Sequence, residues 1–178
     1  LQNPRANPDA DTYKKAKNTR ILKLDRATMK PVGEYVYRLD DPQSFRNDPS
    51  KKQNAPRISE MLALGTDRLL VLERTDKTTK LHEISLAGAT DILGSKWDDP
   101  ATQKSLEARN DLSGAGIAPV GKTLRFDSAD FKNVPDKLEG IAILGNGSVA
   151  LINDNDFGIT GEKTRVVVLS GSGIKADY

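Results

Sequence analysis

The chain has 178 residues, of which 37% are hydrophobic and 29% are charged, and its formal net charge is +2. This near-neutral balance does not indicate a nucleic-acid or acidic-membrane partner, and no run reaches the roughly 20 apolar residues that span a bilayer. The absence of cysteine excludes disulfides, thiolate metal sites and a cysteine nucleophile from this sequence.

Short strand patterns begin after a polar segment, residues 1–18, which we expect to be an N-terminal loop. The patterns alternate apolar and polar residues, or are rich in β-branched and aromatic residues, and turn-forming residues separate them. In the first half of the chain they fall at Arg20–Leu24, Val32–Leu39, Ile58–Leu64, Arg68–Glu73, Lys80–Leu86 and Ala89–Leu93.

The region from 94 to 115 has a different character. Asp99 and Pro100 stand where an N-cap and a first helical residue would be, so a short helix is predicted there. Strand patterns then return at Thr123–Phe126, Leu138–Leu144, Ser148–Asn153 and Arg165–Leu169. About ten short strands with at most one or two short helices predict an all-β protein.

An internal copy relates two predicted hairpins. Segment 58–75 can be laid on segment 138–155 so that Glu60 falls on Glu139 and Glu73 falls on Asn153. A further strand follows each hairpin, which is the pattern of a β-propeller blade of four antiparallel strands. The copy therefore favours a β-propeller-like fold over the alternative, a β-sandwich, in which strands recur at a similar spacing.

The same phasing predicts the extent of the domain. Residues 58–93 would form one full blade, Thr123–Phe126 would belong to an elaborated region, and the whole chain would supply about two and a half to three blades, whereas a closed ring takes at least four. We therefore expect residues 19–178 to be one incomplete propeller portion, with an N-terminal remainder of the ring as its partner.

The stretch LEGIAILGNGSVALINDNDFG, residues 138–158, resembles the phytase-like domain family described as "esterase-like activity of phytase". A Glu-Gly strand start, a glycine-rich turn and an Asn-Asp-Asn-Asp-Phe-Gly ending carry the likeness, and ISEMLAL and RLLVLER match two further strands, so that it covers roughly residues 22–169. The resemblance implies a propeller-like domain that is exported, periplasmic or secreted, and a hydrolase activity on phosphoric or carboxylic esters. A phosphate ester or another small molecule would then be the ligand.

Topology predicts a carboxylate-rich rim, because the first strand of a blade begins on the face where its second strand ends. Glu60 and Glu139 begin such strands, whereas Glu73 and the run 153–156 end them. Carboxylate and amide oxygens are the ligands that calcium takes. The candidate ligands for Ca²⁺ are therefore Asp154, Asp156, Asn153, Glu139 and Glu73. Turn formation is the other explanation of the Asn and Asp run.

The candidate catalytic residues on this rim are Glu139, Glu60 and Arg74. Arg57 and Arg74 offer guanidinium groups that suit phosphate, although pairing with a nearby glutamate explains them as well. His82 is the single histidine and shares a strand face with Ile84, so a structural, partly buried position is expected. No Gly-x-Ser-x-Gly or Arg-His-Gly motif occurs in the sequence.

These observations leave two main hypotheses and a weaker third. The first is a calcium-dependent phosphoesterase that acts at the rim. The second is a non-catalytic propeller that binds a ligand or a protein partner on its carboxylate-rich face. The third is a structural domain of a larger exported protein.

Overall fold

A computed structural model describes residues 2–6, 9, 11–159 and 161–177. Nine strands account for nearly all of the regular structure in these ranges, with one helical turn, α1 (Thr12–Lys15), in the polar N-terminal segment. The strands are β1 (Asn18–Leu24), β2 (Pro31–Arg38), β3 (Arg57–Gly65), β4 (Arg68–Arg74), β5 (Thr79–Ser85), β6 (Gly121–Asp127), β7 (Leu138–Ile143), β8 (Val149–Asn153) and β9 (Val166–Leu169). The predicted all-β class is confirmed.

The strands form three antiparallel sheets, each in chain order. The first sheet is β1-β2, the central sheet is β3-β4-β5-β6 and the third is β7-β8-β9. Among the described residues, no helix has the length and apolar character needed to cross a membrane.

Apolar side chains pack the central sheet on both faces. Leu70 and Leu72 of β4 join a core with Leu138 and Leu151 of the third sheet, while Val71 faces a second core that includes Tyr37 of β2. The continuous apolar pattern of β4 thus follows from burial on both faces, as the sequence indicated. The central sheet is therefore the middle layer between the other two.

The fourth strand of the central sheet comes from further along the chain than expected. Ala89–Leu93 is not a strand, and Ile92 is instead buried in a loop core against Val36 of β2. Strand β6 pairs with β5 in its place, so Thr123–Phe126 completes the sheet. The prediction that residues 58–93 make a full four-stranded unit is therefore wrong.

The predicted helix after Asp99 is also absent. Residues 94–115 form successive turns, with a single 3-10 turn at Ser113–Ala115. The Asp99 carboxylate accepts a hydrogen bond from the Ala101 N–H at 2.8 Å, and such local side-chain bonds compete with a helix. Burial of Trp97 and Leu106 in the loop core fixes the segment in this form.

The internal copy is present in the pairing of the two hairpins. Both contain a bulge near the start of the first strand, which leaves Ser59 without a paired residue in β3 and Glu139 without one in β7. The flanking pairs are Ile58↔Glu73 and Glu60↔Leu72 in one hairpin, and Leu138↔Asn153 and Gly140↔Ile152 in the other.

These pairs correct the alignment of the glutamates. Glu73 and Asn153 occupy equivalent positions, as expected, but Glu60 corresponds to Gly140, and Glu139 corresponds to Ser59. A bulge has no signature in the apolar pattern, so the sequence alignment was one residue out of step in the first strand. The two glutamates therefore have different surroundings.

Candidate functional site

A shallow basin lies where β3 and β7 begin and β4 ends. We call it the rim basin; its volume is about 380 Å³, and it is lined by Gln2, Asn3, Arg57, Arg74, Asp76, Lys137, Glu139, Asp154 and Asp156. Two of these residues lie at the start of a first strand, the N-terminal segment supplies Gln2 and Asn3, and the others end or follow a second strand or precede β7. The topology thus collects charged side chains from the repeated hairpins on one edge.

Arg74, the last residue of β4, is the most enclosed charged group of the basin. Its side chain is only 4% exposed. Nε donates to Ser59 Oγ at 2.9 Å, Nη1 donates to the Thr75 carbonyl at 3.0 Å, and Nη2 donates to the Glu139 carboxylate. Ser59 and Glu139 are the two bulged residues, so both bulges direct a side chain to the same guanidinium.

Burial and neighbouring charges act on Arg74 in opposite directions. Burial lowers the pKa of this guanidinium to about 10, and the positive charge of Arg57 acts in the same direction. The carboxylates of Asp76, Asp154 and Asp156 oppose this shift. Arg74 therefore stays charged at neutral pH, and an anion bound beside it would offset part of its desolvation.

The other two basic side chains of the basin each pair with a carboxylate. Arg57 donates to Asp76, and Lys137 donates to Asp156, whose pKa this contact lowers. Asp154 accepts from the Asp156 N–H at 2.9 Å. Three cations and four carboxylates line the basin, so its formal net charge is −1.

The loop after β8 carries an unusual backbone. Asp156 and Phe157 have φ of 49° and 57°, in the left-handed region that bulky residues rarely adopt. Asn153 closes this loop, because its Oδ1 accepts from the Arg165 N–H at 2.6 Å and its Nδ2 donates to the Lys163 carbonyl at 3.2 Å. Residues 153–156 thus form a hydrogen-bonded turn, and the two aspartates of this turn line the basin.

The structure brings together only part of the predicted site. Arg74, Glu139, Asp154 and Asp156 share the rim basin. Glu60 is directed elsewhere, since its Oε2 accepts from the Ile141 N–H at 2.6 Å and links β3 to β7. The Asn153 side chain bonds within the loop after β8, and Glu73 lies in a different, buried group. The catalytic and metal-binding roles of all these residues stay predictions.

That second group, the buried polar cluster, lies between the central sheet and β2, and consists of Tyr37, Asp40, Glu73, Lys80, His82 and Lys122. Glu73 accepts from the Tyr37 hydroxyl and from Lys122 Nζ, each at 2.6 Å. Lys122 also donates to Asp40 at 2.6 Å, and Lys80 donates to Asp40 at 2.8 Å. Two ammonium groups thus neutralise two carboxylates in the interior.

His82 is the incompletely bonded member of the buried polar cluster. It is 3% exposed, so it is more deeply buried than the partly buried position predicted, and neither ring nitrogen has a hydrogen-bond partner. Nε2 lies 3.4 Å from Asp40 Oδ2, and ligand atoms of Asp40, Glu73 and His82 lie within 4.8 Å of one another, so this group could hold a metal ion. A nitrogen ligand does not match the all-oxygen preference of calcium, and the lysines already occupy the carboxylates.

Sequence reasoning missed Asp40, Lys80 and Lys122 in the buried polar cluster. One signal was available, since Glu73 and Lys80 are a cross-strand pair in β4 and β5. Asp40 and Lys122 come from distant loops and edges, and only the tertiary packing brings them to Glu73.

Comparison with known proteins gives one family. The sequence model of the family described as "Phytase-like: Esterase-like activity of phytase" matches residues 1–157 of the 178-residue chain. Searches among curated proteins and among solved structures gave no significant match. The match includes both repeated hairpins and the whole lining of the rim basin.

Proposed function

This chain belongs to the phytase-like family, and from that premise we propose that the rim basin binds the phosphoryl group of a phosphoric ester and hydrolyses the ester with the help of calcium. One observation carries the proposal: three basic side chains from separate segments, Arg57, Arg74 and Lys137, converge on one basin, and Arg74 is almost fully buried there. A buried guanidinium with its fork of donors suits a tetrahedral oxyanion.

In this proposal, some residues of the basin bind the phosphoryl group and others bind the metal ion. Arg74 and Arg57 bind the phosphoryl oxygens, and Lys137 supplies a third positive charge. Asp154, Asp156 and Glu139 would hold calcium, and their hard oxygen donors fit that ion. When bound, calcium neutralises charge on the ester and lowers the pKa of a water molecule.

The ion pairs of the basin set a condition on binding. Glu139 is bonded to Arg74, and Asp156 is bonded to Lys137, so each carboxylate competes with an incoming phosphate for its basic partner. A cation that attracts Glu139 and Asp156 would leave Arg74 and Lys137 for the ester. The proposal therefore includes a dependence of phosphate affinity on calcium.

We further propose that the three antiparallel sheets are blades of a β-propeller. Each follows chain order, and each packs face to face with its neighbour. We also propose that the protein is exported, on the basis of its family.

A non-catalytic binding face is the second candidate function. A specific observation favours it: among the described residues that line the rim basin there is no serine, threonine, cysteine or histidine, and three of its four carboxylates contact a basic partner. Under this alternative the basin binds a phosphorylated ligand and releases it unchanged.

Release of phosphate from p-nitrophenyl phosphate, followed with and without calcium, separates the two candidates. The phosphoesterase proposal predicts calcium-dependent turnover that an Asp154→Asn, Asp156→Asn double variant loses. An Asp98→Asn, Asp99→Asn variant changes the same number of charges on a loop away from the basin, and it should keep full turnover. Binding without turnover in any metal condition would support the non-catalytic face instead.

A further inference from the structure

Two apolar side chains stand exposed next to the rim basin. Phe157 is 97% exposed and directly follows Asp156, which lines the basin, and Ile159, two residues later, is 84% exposed. Neither residue appears in the described apolar cores. Single exposed apolar residues are common on protein surfaces, so what distinguishes these two is their position in the chain beside a charged basin.

The backbone conformation at position 157 is unfavourable for phenylalanine. Position 157 has φ of 57°, where glycine or asparagine fits with less strain and exposes no apolar surface. The loop is not free to relax, because Asp154 N–H donates to the Lys137 carbonyl at 2.9 Å and Gly158 N–H donates to the Asn155 carbonyl at 2.8 Å. The backbone bonds of this turn thus hold the ring in solvent.

The charge of the basin limits what its ligand can be. The basin has three cations against four carboxylates, so it could compensate one phosphoryl group only when a metal ion offsets some of its carboxylates, and it could not compensate a dense polyanion. A volume of about 380 Å³ also suits a small ligand. A ligand with one phosphate and an apolar organic part would match the cations and the exposed ring together.

We propose that the site is selective for phosphoric monoesters of aromatic or apolar alcohols, with Phe157 in contact with the organic part. This inference rests on the proposed function of the rim basin. It makes Phe157 a specificity-determining residue that acts on the organic group and leaves phosphoryl binding to Arg57, Arg74 and Lys137.

The test compares three probes by calorimetric titration, in buffer with and without calcium chloride: inorganic phosphate, phenyl phosphate and inositol hexakisphosphate. Phenyl phosphate should bind about fivefold more tightly than inorganic phosphate, as expected for one aromatic contact. Inositol hexakisphosphate should bind no more tightly than inorganic phosphate.

Phe157→Ala should remove the fivefold advantage of phenyl phosphate and leave the affinity for inorganic phosphate unchanged. Phe157→Asn removes the ring while keeping a residue that accepts the left-handed backbone, so it should give the same result in a protein that folds at least as well. Phe131→Ala is the matched control, since Phe131 is 56% exposed and packs on Phe126 outside the rim basin, and it should keep the advantage.

The outcomes separate this inference from the function beneath it. If wild-type protein binds no inorganic phosphate in either buffer, the proposed function fails and the inference fails with it. If inorganic phosphate binds but phenyl phosphate has no advantage, or both Phe157 variants keep that advantage, only the inference is overturned. Tighter binding of inositol hexakisphosphate would also overturn it.

Discussion

Glu139→Gln should raise the affinity of the rim basin for phosphate while it lowers the stability of the fold. The carboxylate of Glu139 is the acidic partner of Arg74 Nη2, and an incoming phosphate must displace it or share the guanidinium with it. The substitution keeps the size and most of the shape of the side chain but removes its charge. Arg74 would then be available to an external anion.

The magnitude follows from the exposure of the two partners. Arg74 is 4% exposed and Glu139 is 40% exposed, so the pair lies between surface pairs, worth up to about 1 kcal/mol, and buried pairs, whose disruption costs about 3–5 kcal/mol. We expect a loss of about 2 kcal/mol in the free energy of unfolding, since Arg74 keeps its bonds to Ser59 and Thr75. If removal of the Glu139 charge makes phosphate binding about 1.4 kcal/mol more favourable, the Kd for phosphate falls about tenfold.

Calorimetric titration with inorganic phosphate in calcium-free buffer, together with urea unfolding, measures both effects. Glu83→Gln is the matched control, because Glu83 pairs with Arg68 and Arg125 away from the basin. It should lose stability without any gain in phosphate affinity. An unchanged or weaker phosphate affinity in Glu139→Gln would refute the competition between carboxylate and phosphate.

Two further predictions concern the interior and the hairpin register. Burial raises the pKa of Asp40, but contacts with the His82 ring and a neighbouring ammonium group outweigh it and hold that pKa well below its ordinary value; the resulting stability is present at neutral pH and lost as the pH falls below about 5. Asp40→Asn should therefore lower the free energy of unfolding at pH 7 more than at pH 3 in denaturant titrations, and an equal loss at both pH values would contradict this. A Cβ on Gly140 would lie 2.5 Å from Ile152 Cγ2, so Gly140→Ala should cost about 1–3 kcal/mol in thermal or urea unfolding. Gly145→Ala, where no atom lies within 4 Å, should be nearly neutral, and equal effects at the two glycines would show the register to be wrong.

Local patterns predicted most of the strands well. The uninterrupted apolar run of β4 correctly indicated burial on two faces, and the glycine-rich turn at 145–147 correctly separated β7 from β8. These features depend on neighbouring residues, so a single sequence contains them. The family was also recognisable, because the ending at 153–158 is specific in residue type.

Features that depend on long-range pairing could not be predicted in the same way. The pattern of β6 indicated a strand but did not indicate which sheet edge it would join. The long loop between β5 and β6 separates them in sequence, so their pairing could not be inferred from the sequence. The bulges at Ser59 and Glu139 shift the register without changing the apolar pattern. Asp40 meets Glu73 only because β2 packs on the central sheet.

The sequence predicted part of the rim basin. Blade topology placed Glu60, Glu73, Glu139, Asp154 and Asp156 on one edge, and the structure brings only the last three together there. The sequence also placed Arg57 and Arg74 on this rim and allowed for pairing with a glutamate. Lys137, and the pairing of Arg74 with Glu139 in particular, required the folded structure, because ion pairing depends on side-chain geometry at the ends of two different strands. The sequence thus indicated both signs of charge on the rim, and the structure adds Lys137 and the specific ion pairs.

The most direct test of the rim basin is an NMR titration of the ¹⁵N-labelled protein with inorganic phosphate, with and without calcium. We predict that the shifted amides cluster at residues 57, 74–76, 137–139 and 154–157, and that the shifts disappear in Arg74→Gln. Shifts centred on Asp40 and Lys122, or no saturable shifts in either buffer, would contradict the assignment of phosphoryl binding to this basin.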